Sequence, residues 1–578
     1  MLYFPSLMSK SKDLIFQIIQ EAKNYDRLED IEKLVEQSGT LAVVPIQPLY
    51  VALASTSSDQ VAEVLPRLSK TQRQAMLDID LWHKDEVDYL SFDFWIESYS
   101  KVKESEVIED FVSAEDFALY LRGRVNLYTF DVEDPMYPDH DYYFLTDDTL
   151  LLIEYGEDYP NPNELKFLIR SLYDKLGVEK AYSHLFKIVN DSFFELEEKQ
   201  YQEKKERLRD YGFVDYYDAL EQLIEFKTYP SMDRYIQEKK AQTAEIAAES
   251  RNQSLHHAAV IGFSNHEDIV REELQKIDDD KRFSYLHFTF VRLVNSSITL
   301  NDALKGGRIE LNRVSKKTRM LLNLGAEYLR SKGEEKLFIR FDFFDLYRIG
   351  KTLLVLEKRR LKKQLAKFGF DREEKENFLG SWWNGILENA YDDYPKAKNF
   401  GASLHAKEVD SLPVYYFWKN QLRSLADALP YIDKFYQTLS TMKAEGKLHD
   451  DFYLNYNTEE IDFEAIIISS FIGSVLKNAI ELTGPKMGIT IPELKLFLGK
   501  LFLRNNEEYF LKAIQDSEVQ TELKSFVDSY GLAEIHEFEQ YLYGILTEHL
   551  SGYDFDSLNE EDFKHIGGPI FFNTLNKN

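Results

Sequence analysis

Cysteine is missing altogether from these 578 residues. Disulfides, thiol catalysis and Cys-ligated zinc or iron–sulfur centres are therefore excluded. Long apolar runs are missing too. The nearest approach, 465–476, is interrupted by Ser469, Ser470 and Ser474, and it falls well short of the roughly 20 apolar residues that span a bilayer. The opening MLYFPSLMSKSKDL has no basic region leading into a sustained apolar stretch and a small-residue cleavage site, so it does not read as a secretory leader. Positive charge is in deficit, with 70 Lys and Arg against 100 Asp and Glu, a net charge of −30. A summed field of that sign repels polyanions, which argues against nucleic acid and anionic membrane as partners. No GxSxG elbow and no H-E-x-x-H helix occurs, so the commonest serine-hydrolase and zinc-protease signals are absent. The expectation left standing is a cytoplasmic helical interaction, scaffold or regulatory protein of unknown pathway, with no cofactor, no membrane insertion and no nucleic acid, whose contacts are with an unidentified protein partner.

What is present points to packed, mostly helical domains. Apolar residues make up 44% and aromatics 14%, with 40 Phe and 36 Tyr, enough to form cores despite the charge. The length exceeds what one hydrophobic core serves. Composition shifts suggest four segments: 1–124 with short helices, 125–232 with a β-hairpin and a helical hairpin, 233–375 as a central helical part, and 376–578 as a C-terminal helical part. The fold class expected is mainly α and multidomain. It combines a short-helix superhelical N-terminal part, a helical-bundle-like remainder and a small β element around 125–154.

Several local signals carry that reading. Residues 13–37 have helical periodicity. Ser69 and Gln72 have capping-box spacing ahead of Met76, Leu77 and Ile79, and Ser58 stands as the cap before Val61, Val64 and Leu65. Trp82, Phe92, Phe94 and Trp95 are expected to form core. Residues 142–145 and 149–154 read as a hairpin turning at 146–148. Pro430 is expected to interrupt a helix over 415–439.

The most completely punctuated stretch is 193–226. Phe194, Tyr201 and Leu208 stand seven apart, with Tyr211 three further on, giving one apolar stripe among Glu, Lys, Arg and Gln. Gly212 is the expected C′ residue, which makes Leu208 C3 and Phe213 C″. Asp215 is the expected N-cap of a following helix, with Asp218 in its first turn. In Glu198, Tyr201, Arg207, Leu208, Asp210, Gly212, Phe213, Ala219 and Leu220 this stretch resembles a signature of a bacterial family of unknown function, DUF6178. Asp218 stands where that pattern has Glu. The resemblance extends from about residue 41 to the C-terminus. It implies a shared fold and brings no activity with it.

Chemistry-bearing candidates are few. Asp131, Glu133, Asp134, Asp139, His140 and Asp141 cluster in one segment, and hard oxygen ligands so close together suit Mg²⁺ or Ca²⁺. This cluster is the basis of an alternative function, a divalent-metal-dependent enzyme or sensor using 131–148, although the spacing is not that of an EF-hand. His256, His257 and His266 form a second, weaker group. Gly350-Lys351-Thr352 ends like a phosphate-binding loop, but the position that needs the first glycine is Asp345, so a packing role for Gly350 is expected instead. The basic run Lys358, Arg359, Arg360, Lys362, Lys363 and Lys367 reads as the solvated face of a helix with Leu353, Leu356, Leu361 and Leu365 turned inward. No catalytic residue is singled out.

Overall fold

The computed structural model describes residues 41, 44, 46–190, 193–241, 269–399, 405–445, 461–479 and 491–557. The helix expected over 13–37 and the His256, His257 and His266 group lie outside the described residues. The chain divides into two compact units, one of 1–226 and 230–351, the other of 227–229 and 352–578. The division at Lys351 falls inside helix Phe343–Phe368. The fold is mainly α. Among the described residues, β-structure is confined to one three-stranded and three two-stranded antiparallel sheets.

The first unit opens with short, individually capped helices. Lys70–Asp80 begins at Ser69, whose side chain accepts from the Gln72 N–H while Gln72 returns the bond. The preceding helix, Ser58–Val64, has the same box one residue earlier than expected, with Ser57 and Gln60 as the pair. Ser58 is buried and donates to Glu97 at 2.8 Å instead. Phe92, Trp95 and Trp82 are buried, so this block closes on aromatic core as the sequence suggested, except that Phe94 is only half-buried.

The hairpin of Tyr143–Leu145 and Leu151–Tyr155 forms with Phe144 opposite Ile153. A third strand, Val125–Thr129, pairs with the far edge of Leu151–Tyr155, so that strand is central. Its buried Leu151, Leu152 and Ile153 fit the middle of a sheet packed on a face of helices.

Two long helices end the first unit's sequence, Gly307–Ser331 and the start of Phe343–Phe368. They cross through paired glycines. A Cβ on Gly325 would stand 2.0 Å from the Leu346 carbonyl oxygen, and one on Gly350 would stand 2.1 Å from the Leu321 carbonyl oxygen. The two helices touch backbone to backbone there, and only glycine permits that. Lys351 is committed as well, donating to the Leu223 carbonyl at 2.9 Å and pairing with Glu225 at 3.2 Å. The phosphate-loop-like triplet is thus mid-helix packing, as expected for Gly350.

The second unit is built on helices Leu412–Ala444, Phe463–Ala479 and Phe538–Leu550. Pro430 does not interrupt the first of these, which runs unbroken through it. The proline lies on the exposed face. Leu425, Ala428, Leu429 and Ile432 on the opposite face are fully buried, and that packing outweighs the lost backbone bond. Trp383 stacks on Tyr541 at 4.4 Å. Buried Glu464 accepts from the Trp382 N–H and the Ser381 hydroxyl, capping helix Ser381–Tyr391 from across the core. In the basic run, Leu353, Leu361 and Leu365 are buried and Arg359, Arg360, Lys362, Lys363 and Lys367 are exposed, as read from the sequence, while Leu356 and Lys358 are half-buried at the boundary of the two faces. Among the described residues no helix is long and apolar enough to cross a membrane.

Gly350→Ala is expected to destabilise the protein by about 1–3 kcal/mol, because the added methyl has a carbonyl oxygen in its place. Denaturant unfolding followed by far-UV circular dichroism measures this, and an unchanged midpoint would contradict the close helix crossing.

Candidate functional site

The stretch 193–226 folds as its punctuation dictates. Helix Phe193–Asp210 ends at Gly212 with φ +84°. The Phe213 N–H reaches the Leu208 carbonyl at 3.1 Å and the Gly212 N–H reaches the Arg209 carbonyl at 3.0 Å, the two bonds of a Schellman end. Asp215 caps helix Tyr216–Gln222 by accepting from the Tyr217 N–H. Helix Asp280–Leu300 fixes this turn from the side. Asn295 donates to the Gly212 carbonyl at 2.7 Å, and Thr299 donates to the Val214 carbonyl at 3.0 Å.

Helix Phe193–Asp210 is held to helix Lys70–Asp80 by charge. Arg207 makes two hydrogen bonds to Asp78, at 2.9 and 2.7 Å, and Asp78 is wholly buried. Gln74 bonds to both Asp78 and the nearby buried Asp116.

Between these elements lies a cavity of about 160 Å³. Ile79, Trp82, Leu208, Phe213, Ile298 and Leu304 supply its apolar wall, and Lys84, Lys204, Lys205 and Lys305 supply its positive charge. The carboxylates that also line it are already engaged. Asp78 has Arg207. Asp215 accepts from the Tyr201 hydroxyl at 2.8 Å and pairs with Lys205 at 3.4 Å. Asp302 lies 3.4 Å from the His83 ring nitrogen. Lys305 donates to the Asp80 carbonyl and to Asp88.

Lys204 differs from its neighbours. Its ammonium stands 4.9 Å from the Tyr201 ring centre and 5.3 Å from that of Trp82, and those two rings lie 5.5 Å apart. Its hydrogen bond goes to a backbone carbonyl, that of Lys84, at 3.2 Å. Among the described residues no carboxylate pairs with it. Burial around the ammonium, with Lys305 and Lys205 nearby, pushes its pKa down to about 8, although Asp215 and Asp78 pull the other way. The aromatic faces favour the cation, but desolvation outweighs them. Lys84 lies over the Tyr216 ring at 5.1 Å and likewise has no carboxylate partner among the described residues. The cavity therefore presents two cations with spare donors beside an apolar wall, which suits a small anion with an apolar body.

The acidic residues singled out from the sequence lie elsewhere. Asp131, Glu133, Asp134, Asp139, His140 and Asp141 stand exposed along the irregular segment between strands Val125–Thr129 and Tyr143–Leu145. Asp131 accepts from the Glu133 N–H at 2.9 Å, and His140 turns to Glu154 at 3.1 Å. Among the described residues no three histidine, aspartate or glutamate side chains are grouped to hold a metal ion. The sequence did contain a signal for Lys204. It lies three residues after Tyr201 and four before Leu208, which puts it on the helix's buried stripe.

A family model described as "Family of unknown function (DUF6178)" matches residues 8–400. No curated protein and no solved structure matches the chain.

Asp116 gives this region a pH dependence. Burial, reinforced by the Asp78 charge, pushes its pKa from 3.8 up to about 7. Between about pH 4 and pH 7 the folded state thus keeps a proton that the unfolded state has released, so stability falls as pH rises through that window and stays reduced above it. Asp116→Asn keeps an acceptor for Gln74 without the charge. The variant is expected to show a smaller loss between pH 5 and pH 8 than the wild type in denaturant titrations, and an equal or larger loss would contradict the assignment.

Proposed function

The chain belongs to the DUF6178 family, and from that premise we propose that it is a cytoplasmic regulatory protein whose first unit binds a small organic anion. The family is described as one of unknown function and contributes no activity to this reading. The cavity's chemistry supports it. The observation that carries it is the Lys204 ammonium, which lines the cavity, has no carboxylate partner among the described residues and stands beside a pair of aromatic rings. Burying an ammonium without a counter-charge is unfavourable. An anionic ligand relieves that cost, and its binding energy is coupled to the state of the surrounding helices.

Binding at this position would act through the turn 212–215. Asp215 there serves three roles: it accepts from Tyr201, pairs with Lys205 and caps helix Tyr216–Gln222. A ligand anion competing for Lys205 shifts that set of bonds and with it the start of the helix. This is a local charge change acting on a helix terminus, the usual physical form of a ligand switch. The charge balance of the whole chain fits a small ligand better than a polyanion, because a net charge of −30 repels extended phosphate backbones while a pocket lysine still attracts one carboxylate at short range.

Thermal-shift and calorimetric titration of the full chain with aliphatic and aromatic monocarboxylates tests this. At least one is expected to raise the unfolding temperature, and Lys204→Met is expected to weaken its affinity at least tenfold. A panel with no stabilising member, or a Lys204→Met protein that binds equally well, would remove the basis of the proposal.

A further inference from the structure

Lys204 has a second property that simple anion binding does not use. Its amine is set beside Trp82, in a cavity where two of the other three lysines, Lys205 and Lys305, have anchoring partners. Lys205 holds Asp215, and Lys305 holds the Asp80 carbonyl and Asp88. The nearby charges of those two ammonium groups disfavour a positive charge on Lys204. With burial added, Lys204 gives up its proton more readily than an ordinary lysine.

We propose that Lys204 is a covalent docking point, whose amine forms a reversible imine with a small aldehyde that also bears an anionic group. This rests on the anion-binding reading above and adds the reactive group of the ligand. The amine lone pair attacks the aldehyde carbon and a C–N bond forms. The two amine protons leave with the carbonyl oxygen as water, giving the C=N bond, and nothing is oxidised or reduced. The reverse reaction with water releases the aldehyde unchanged.

Four features of the cavity favour this chemistry. A desolvated lysine near other cations is a recognised form of amine nucleophile, because both effects raise the neutral fraction. Its pKa of about 8 leaves roughly one amine in ten neutral at pH 7, against roughly one in three thousand for an ordinary lysine. The rings of Trp82 and Tyr201 lie together beside the nitrogen and offer flat surfaces to a planar, conjugated imine. Lys84, whose ammonium has no carboxylate partner among the described residues, is placed on the same cavity wall to take the ligand's anionic end.

The test uses 4-formylbenzoate as the probe and 4-methylbenzoate as its unreactive counterpart. The full chain is incubated with 4-formylbenzoate and cyanoborohydride at pH 7, and adducts are located by peptide mass spectrometry. Lys204 is expected to be modified at least tenfold faster than the median lysine, and excess 4-methylbenzoate is expected to slow it. Lys204→Arg removes the amine nucleophile while keeping a cation, so it is expected to lose the dominant adduct, and an adduct pattern unchanged from the wild type would overturn the assignment to Lys204. Modification spread evenly over exposed lysines, with 4-methylbenzoate still bound, would overturn the imine and leave the anion site standing. Failure of both probes to bind or react would overturn both.

Discussion

Arg207 closing on a fully buried aspartate is the interaction on which the first unit's site depends. A carboxylate removed from water is costly to hold ionised, and a guanidinium offering two parallel hydrogen bonds is among the few groups that compensate it. Asp78 comes from helix Lys70–Asp80 and Arg207 from helix Phe193–Asp210, 129 positions apart in sequence. Each helix contributes one half of the pair, so neither can slide or rotate without leaving a buried charge exposed to no partner. The short capped helices at the start of the unit are in this way fastened to the helical hairpin that follows the sheet.

That fixed geometry determines what else can be neutralised. One turn before Arg207, the same helix carries Lys204 toward Trp82, on the stripe shared with Tyr201 and Leu208. Asp78 is already engaged by Arg207, and Asp215 is divided among Tyr201, Lys205 and the cap of helix Tyr216–Gln222. Among the described residues no carboxylate forms an ion pair with the Lys204 ammonium, although the charges of Asp215 and Asp78 still act on it. The lysine's shifted proton affinity and the cavity's appetite for an anion are two consequences of one allocation of partners. Asp116 is the counterpart on the acidic side. Its neighbour Asp78 takes the arginine, and its own carboxyl is raised by burial beside that charge.

Much of the local architecture was legible in the residues, because caps and turn glycines act over three or four positions. Ser69 with Gln72, Gly212 with Phe213 and Leu208, and Asp215 at its N-cap all form the bonds their spacing implies. The rejected phosphate loop at Gly350 became a helix crossing, for which Asp345 was an adequate warning. Two things were not legible. Pro430 reads locally as a stop, and the burial that overrides it comes from residues on the opposite face of the same helix. The cavity was hidden because its walls come from helices Lys70–Asp80, Phe193–Asp210 and Asp280–Leu300 and the turns after them. The acidic segment 131–141 drew attention by composition, whereas Lys204 was hidden among the basic and acidic residues of an ordinary-looking helix. Its position on the apolar stripe was the available clue.

The site turns on a half-buried Lys204 amine that has no ion-pair partner among the described residues. Competitive trace acylation of the native full chain across pH 6 to 11, with each lysine read separately by mass spectrometry, addresses it directly. The account predicts that Lys204 reactivity rises with a midpoint near pH 8, well below the exposed lysines of the same sample. A Lys204 midpoint at the ordinary lysine value would show that its ammonium is hydrated or paired in solution, and the account of the cavity would be wrong.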